Sequence, residues 1–181
     1  METLKKFFSK PLHIIAAVLI FVVLIVAINI IQCQDYDGVY VGMSRKDYRE
    51  LKPRSDYFSY IDYGFFKNSS GHHVVVHFSR DSAGKIGKVD EIKVFNKWFI
   101  NNSPRNFESI KKGDSIYSVI AKVGIPIGTT TSGASSCDFV SSKGKGYLIY
   151  WHDIHPVQYN TEFVVDNVIS VEELEALHND N

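Results

Sequence analysis

A twenty-residue apolar run near the N-terminus limits what this chain can fold into more than any other feature. Residues 12–31 read LHIIAAVLIFVVLIVAINII and contain no Asp, Glu, Lys or Arg. At about 1.5 Å per residue, an α-helix of this length matches the roughly 30 Å hydrocarbon core of a bilayer. The run is apolar on every face, whereas a surface helix of a soluble domain keeps a polar side. The sequence therefore predicts a transmembrane helix over residues 12–31.

The charges on either side of this run predict its orientation. Three lysines precede it against a single acidic residue, and Asp35 and Asp37 follow it. By the positive-inside rule, residues 1–11 form a cytoplasmic tail and the chain from about Gln32 lies outside. The alternative is a cleaved signal peptide, but its apolar core would be about 7–15 residues long and would end at a small-x-small site. We therefore predict an uncleaved signal anchor in a bacterial inner membrane, with a periplasmic C-terminal domain.

The two cysteines, Cys33 and Cys137, would both lie on the oxidising side of the membrane. Two cysteines there can form one disulfide, for which Cys137 would have to fold down beside the membrane surface. Cys33 also stands directly after the apolar run, where bacterial lipoproteins are cut and acylated, although Gln32 is a poor fit to that signal. Three states of Cys33 stay open: lipidated, disulfide-bonded or free.

The charge balance argues against one class of partner. The chain has 20 basic and 20 acidic residues and a formal net charge of zero. A protein that binds nucleic acid needs a basic surplus to neutralise phosphates. We therefore expect no nucleic-acid partner.

The chain after the apolar run reads as one unit written twice. A short helix start follows Gly42 and again Gly113, seventy-one residues later. In the first unit, Ser44 is placed to cap its helix. In the second, apolar residues of 116–123 recur at i, i+3, i+4 and i+7, which indicates an amphipathic helix closed by Gly124. The repetition predicts two similar modules.

Each helix start is followed by runs rich in aromatic and β-branched residues, separated by turn-forming segments. A final helix is predicted after Ser170, because Glu173 stands at capping-box spacing from it. Helices on one face of antiparallel sheets give an α+β fold. The predicted strands cover 57–66, 72–79 and 88–95 in the first unit, and 136–142, 146–152 and 161–169 in the second. The predicted limits are a first repeat over 36–96, a linker over 97–106, a second repeat over 107–170, and a C-terminal helix and tail over 171–181.

Short motifs in the second unit carry a family resemblance. The second unit has a glycine before its helix, a Val-Gly-x-Pro sequence at the end of the helix and a Val-Asp-x-Val sequence in its last strand. The residues concerned are Gly113, Val123, Gly124, Pro126, Val165, Asp166 and Val168. These residues resemble the SmpA/OmlA-type small lipoproteins of the bacterial outer-membrane assembly machinery, over 107–170 and more weakly over 36–96. A duplicated module looks like the β-lactamase-inhibitor-protein fold. The resemblance implies a protein-binding scaffold without known catalytic residues.

Histidines are the residues to test for a metal site or for catalysis. His72, His73 and His77 fall on one predicted strand, and His152 and His155 fall in WHDIHP. His73 and His77 share a face but lie about 13 Å apart along a strand, too far to share an ion bound at about 2.0–2.1 Å. The sequence also lacks a Gly-x-Ser-x-Gly elbow. We expect no enzyme, metal or cofactor; the alternative is a metal-dependent or novel envelope hydrolase that uses the histidine stretches.

Aromatic residues predict where a partner would bind. If helices cover one face of each sheet, the other faces are free and can line up into one concave surface. Side chains alternate along a strand, so Ile149 and Trp151 are expected in the core. Four residues are then expected on the free faces: Phe58, Tyr60, Tyr150 and His152. The sequence as a whole predicts a membrane-anchored periplasmic module that binds an envelope protein, as an assembly accessory, an inhibitor or an immunity-type protein.

Overall fold

The computed structural model describes residues 14–28, 36–52, 62–128, 136–153 and 163–179. Contacts divide the chain into two units, Met1–Asp35 and Tyr36–Asn181. Helix α1 (14–28) belongs to the first unit. Within the described ranges, no helix is both long enough and apolar enough to cross a membrane.

The second unit has an α+β fold with two three-stranded antiparallel sheets, which confirms the α+β part of the predicted fold class, whereas the transmembrane helix stays a prediction. Both sheets belong to this one unit, and no boundary divides its described residues. The limits of the two repeats therefore stay a prediction. The first sheet follows α2 (Arg45–Leu51) and consists of β1 (Tyr63–Lys67), β2 (His73–Arg80) and β3 (Ile86–Phe95). The second sheet follows α3 (Pro104–Glu108) and α4 (Ile116–Val123), consists of β4 (Ser136–Val140), β5 (Gly146–Asp153) and β6 (Phe163–Ser170), and is followed by α5 (Val171–Asn179).

Side-chain caps fix the start of two helices where the sequence predicts them. The Ser44 hydroxyl accepts a hydrogen bond from the Asp47 backbone N–H at 3.1 Å and donates one to the Asp47 carboxylate at 2.7 Å. At α5, Ser170 Oγ accepts from the Glu173 backbone N–H at 3.3 Å, and Glu173 Oε2 accepts from the Ser170 N–H at 2.9 Å. This reciprocal pair is a capping box, which satisfies two backbone donors that the helix itself leaves unpaired.

In each half of the unit, the glycine before the helix is hydrogen-bonded to a strand of the sheet that follows, and the bonds are equivalent in the two halves. The N–H of Gly42 donates to the Val89 carbonyl at 2.7 Å, and the N–H of Gly113 donates to the Val165 carbonyl at 2.8 Å. Both glycines have a positive φ, +95° and +90°, which explains why glycine stands at each place. A return bond of 2.9 Å accompanies each pair, from Val89 N–H to the Met43 carbonyl and from Val165 N–H to the Asp114 carbonyl.

The first sheet is covered on both faces, which corrects the prediction that it has a free face. On one side, Val74, Val76 and Phe78 pack with Tyr48 of α2. On the other side, apolar side chains of β1 and β2 share a core with α4: Tyr63, Phe65 and Val75. That face is apolar as well, so leaving it in water would forgo the hydrophobic stabilisation of burying it. A single concave surface built from both sheets is therefore absent from the described residues.

Helix α4 shares one core with residues of both sheets. Its apolar stripe is almost fully buried, as the spacing predicts: Ile116, Val119, Ile120 and Val123. The same core contains Ile149, Trp151 and Val165 of the second sheet, together with the three residues of the first sheet named above. Packing on two sides makes this helix the main connection between the two sheets.

Polar contacts reinforce the same connection. Nδ1 of His73 on β2 accepts a hydrogen bond from the Ile125 backbone N–H at 2.9 Å, just after α4. The Tyr117 hydroxyl on α4 donates to Glu91 of β3 at 2.5 Å, and this bond lowers the pKa of the Glu91 carboxyl. Lys93 lies over the Tyr117 ring, with Nζ 3.6 Å from its centroid. The sheet face that carries these residues is therefore closed by specific polar pairs as well as by apolar packing.

The stability of the fold should fall as the pH drops from 7 to 5. Burial lowers the pKa of His73 from 6.5 to about 4, and a protonated Nδ1 could not accept the Ile125 N–H. The unfolded chain then binds the proton over a pH range in which the folded chain does not, so stability is lost as pH falls. Because His73 is only partly buried, we expect a loss of about 1 kcal/mol in the free energy of unfolding over this range.

Denaturant unfolding at pH 7 and pH 5 measures this loss. His73→Gln keeps an acceptor but cannot be protonated, so the pH dependence of the free energy of unfolding should become smaller. The part that remains comes from fully buried His72, whose pKa is also lowered by burial. His152→Gln replaces an exposed histidine and is the matched control. An unchanged pH dependence in His73→Gln would show that His73 does not carry the effect.

Candidate functional site

The face of the second sheet opposite α4, which we call the outer face, is the candidate binding surface. Strand pairing places its residues on one side: Asp138 lies opposite Leu148, Leu148 opposite Ile169, and Tyr150 opposite Asn167. His152 follows Tyr150 by two residues on β5, and alternation along a strand brings it to the same side. The outer face therefore includes Asp138, Leu148, Tyr150, His152, Asn167 and Ile169, together with Val164, which pairs with His152 and is buried.

The alternation of β5 is the one predicted from the sequence. Ile149 is 0% and Trp151 7% exposed, and both belong to the core that contains α4. Tyr150 is partly exposed and His152 is exposed, with 45% of its side chain accessible. Tyrosine and histidine keep a polar group available at a partly exposed position, whereas Ile and Trp gain most from burial. The structure thus places both predicted residues on the outer face, and their role in binding stays a prediction.

Part of the outer face is covered by the C-terminal helix. Helix α5 contacts both β5 and β6, and the Val171 side chain lies so close to Gly146 that a Cβ there would be 2.8 Å from it. Leu148 is only 6% exposed, although it points to this side. The accessible part is therefore the other end of the strands, around Tyr150, His152 and Asn167.

A charged group borders this accessible part. Asp166 stands where the β5–β6 register shifts, and its carboxylate accepts a hydrogen bond from Lys112 Nζ at 2.7 Å. His152 Nδ1 lies 3.8 Å from the same oxygen atom. The bond from Lys112 lowers the pKa of the Asp166 carboxyl, so Asp166 stays anionic at neutral pH. Nearer the covered part, burial raises the pKa of the Asp138 carboxyl. A tyrosine ring with polar groups around it is an arrangement common at protein interfaces.

Several residues singled out from the sequence cannot be placed. Phe58, Tyr60, Cys33 and His155 lie outside the described residues. Cys137 stands on β4 opposite Ile149, but without Cys33 the predicted disulfide remains a prediction. The roles predicted for Phe58 and Tyr60 are untested for the same reason, although the first sheet itself has no free face among the described residues.

The histidine stretches do not meet in the described part of the chain. His72 is fully buried, and its Nδ1 accepts a hydrogen bond from the Lys97 backbone N–H at 3.2 Å. The other histidines have separate partners: His73 the Ile125 N–H, His77 the Asp90 carboxylate at 2.6 Å, and His152 the Asp166 carboxylate. Among the described residues, no three His, Cys, Asp or Glu side chains are grouped so that they could hold a metal ion.

The sequence reasoning missed a basic cleft between α2 and the β2–β3 turn. Half of its lining residues are cationic, and one, Glu50, is acidic; the cationic residues are Arg45, Lys46, Arg49, Arg80 and Lys85. Arg80 is already paired with buried Asp62, with Nε 2.5 Å from the carboxylate. The spacing of Arg45 and Arg49, one helical turn apart, was the available signal. The lysine and arginine residues of the hairpin reach the same place only in the folded chain.

Comparisons of this chain with protein-family models, with curated proteins and with solved structures gave no match.

Proposed function

We propose that this chain is a membrane-anchored periplasmic module that binds a protein of the cell envelope. Residues 12–31 would form the anchor, with residues 1–11 in the cytoplasm and the α+β unit outside. The length of the apolar run and the lysines before it support this placement. The partner would be an envelope protein, which the module would assist, inhibit or neutralise.

The observation that carries the binding role is the accessible part of the outer face. Tyr150 stands there beside exposed Asn167 and His152, and none of the three belongs to a hydrophobic core. A tyrosine in such a place offers a large ring and a hydroxyl at low entropic cost, which is why tyrosines often dominate interface energies. The SmpA/OmlA resemblance, which implies a protein-binding scaffold, points to the same class of function.

Anchoring adds to binding without any new contact. A domain confined near a membrane meets a partner in the same membrane at a high effective concentration, so a modest interface is sufficient.

Site-specific crosslinking in native membranes tests this proposal. A photoreactive phenylalanine analogue at Tyr150 or at Asn167 of the full chain should give an adduct of the same size. The same analogue at Tyr40, an exposed tyrosine away from the second sheet (58% accessible), is the matched control and should give none.

The variant Tyr150→Ala adds an energetic test. As an interface hot spot, Tyr150 should weaken partner capture about tenfold or more when truncated, whereas a partly exposed side chain should change the free energy of unfolding by only about 1 kcal/mol or less. Equal adducts from Tyr40 and Tyr150, or unchanged capture by a folded Tyr150→Ala chain, would argue against the outer face as the binding site.

A further inference from the structure

The turn after β3 presents two aromatic side chains to solvent. Trp98 is 73% and Phe99 82% exposed, the highest values among the large hydrophobic residues that the structure describes. The turn is held in place by the Asn96 carbonyl, which accepts from the Phe99 N–H, and by the Asn96 side chain, which accepts from the Trp98 N–H, each at 3.0 Å. Two adjacent aromatic rings exposed on a hydrogen-bonded turn form the kind of apolar patch that marks an interaction surface.

Another exposed apolar residue lies in the neighbouring loop. The Ile100 side chain approaches Gly124 so closely that a Cβ on the glycine would be 3.4 Å from it. The loop that follows Gly124 carries Ile127, which is 66% exposed. The exposed apolar residues of this end, which we call the aromatic end, are Trp98, Phe99 and Ile127.

The first residues of the α+β unit lie at the aromatic end as well. Asp37 accepts a hydrogen bond from the Ser69 backbone N–H at 3.0 Å, in the turn between β1 and β2. The same turn is contacted by the residue before Trp98, because Lys97 Nζ donates to the Ser70 carbonyl at 2.6 Å. The first residues of the unit and the segment that carries Trp98 therefore both contact the β1–β2 turn.

Chain length then limits how far the aromatic end can be from the membrane. The proposed anchor ends at Ile31, and only five residue steps separate it from Tyr36. A fully extended chain advances at most about 3.6 Å per residue, so Tyr36 lies within about 18 Å of the end of the apolar run. If residues 12–31 form the anchor, this short connection limits how far the start of the α+β unit can move from the lipid headgroups.

The charges at this end favour an anionic surface. Lys67 closes β1 beside the β1–β2 turn and Lys97 lies on its other side, and both are exposed. Lys97 Nζ is also 5.4 Å from the centre of the Trp98 ring. A lysine ammonium has three donors, so Lys97 can keep its bond to Ser70 and still bind a phosphate.

We propose that Trp98 and Phe99 insert into the headgroup region of the membrane that holds the anchor, with Lys67 and Lys97 binding phosphates of anionic phospholipids. Tryptophan favours this region because its ring is apolar and its N–H finds partners at the polar boundary. Insertion fixes the orientation of the unit, and the outer face then projects at a constant angle from the membrane. This inference depends on the proposed anchoring of residues 12–31.

Fluorescence quenching in vesicles tests the inference on the full chain. The chain has two tryptophans, so Trp151→Phe leaves only Trp98, and Trp98→Phe leaves only Trp151, which is 7% exposed in the core. Both are reconstituted into phosphatidylcholine–phosphatidylglycerol vesicles with or without lipids brominated near the headgroup end of the acyl chains. Bromine should quench Trp98 at least twofold and leave Trp151 nearly unchanged.

Three further results decide the inference. If Trp151→Phe does not fold, the difference between the unaltered chain and Trp98→Phe supplies the Trp98 signal. If the chain floats with the vesicles but Trp98 is quenched no more than Trp151, the proposed anchor is supported and the insertion is wrong. Protection of Trp98 from a soluble quencher only in native membranes would then assign the aromatic end to a protein contact. If the chain does not float with the vesicles, both the anchor and this inference are wrong.

Discussion

Truncating Ile120 to alanine should lower the free energy of unfolding by about 4 kcal/mol, in the upper part of the range for a buried isoleucine. Ile120 is 0% exposed and lies in the stripe of α4 that shares a core with both sheets. A cavity between two sheets cannot close by a small movement of one side, so most of the lost contacts stay lost. Both hydrophobic cores are built from residues of the unit 36–181, and its unfolding in urea measures the effect.

Ile127→Ala is the matched control for this prediction. It removes the same atoms from a side chain that is 66% exposed, so the expected change is within about 0.5 kcal/mol. The shared core also predicts that both sheets unfold in one transition, with Trp151 fluorescence and far-UV circular dichroism changing together. Similar losses in the two variants, or two separate transitions, would contradict a core that joins both sheets through α4.

The sequence predicted α4 correctly because its signal is periodic and local. Four apolar residues at helical spacing and a glycine after the last turn define a helix with one buried stripe whatever surrounds it. The spacing gives no information about which elements the stripe contacts. The position of α4 against the first sheet depends on residues more than twenty positions away, such as Tyr63 and Glu91.

The free face predicted for the first sheet was wrong for a specific reason. On β2 the residues of that face are His73, Val75, His77 and Ser79, and such a polar pattern is typical of a solvent-exposed face. In the structure His73 accepts a hydrogen bond from the Ile125 N–H, and His77 is hydrogen-bonded to the Asp90 carboxylate. Buried polar side chains with partners cannot be told from exposed ones by their spacing. The apolar stretch Tyr63–Lys67 of β1, buried at four of its five positions, was the clearer signal, because strands buried on both faces lose the alternation.

The candidate surfaces differ in how far the sequence could find them. On β5 the apolar residues Ile149 and Trp151 alternate with Tyr150 and His152. This alternation indicates which side chains point inward, so the inward and outward sides were predicted correctly. Trp98 and Phe99 fall in a segment that was assigned to a linker. An aromatic pair on a turn has no period, and only the folded chain shows that it is exposed at the end where the unit begins.

Replacing Gly124 by alanine should lower the free energy of unfolding by about 2–5 kcal/mol. Gly124 has a φ of +82° and a ψ of −172°, a backbone region essentially restricted to glycine, where a residue with a Cβ loses about 1–3 kcal/mol. The new Cβ would also lie 2.6 Å from Cε1 and 2.7 Å from Nδ1 of His73. The ring would have to move, and the partly buried Ile125 N–H would lose its acceptor, at a further cost of about 1–2 kcal/mol.

A second glycine separates these two costs. Gly144 has a similar φ of +78°, but a Cβ there would meet nothing within 4 Å, so Gly144→Ala should cost only about 1–2 kcal/mol. In a double-mutant cycle with His73→Ala, the extra loss at Gly124 should largely disappear because the obstructing ring is gone, whereas the loss at Gly144 should stay the same. If Gly124→Ala costs no more than Gly144→Ala, the His73 ring is free to give way. The hydrogen bond from Ile125 would then contribute little to holding the end of α4 against the first sheet.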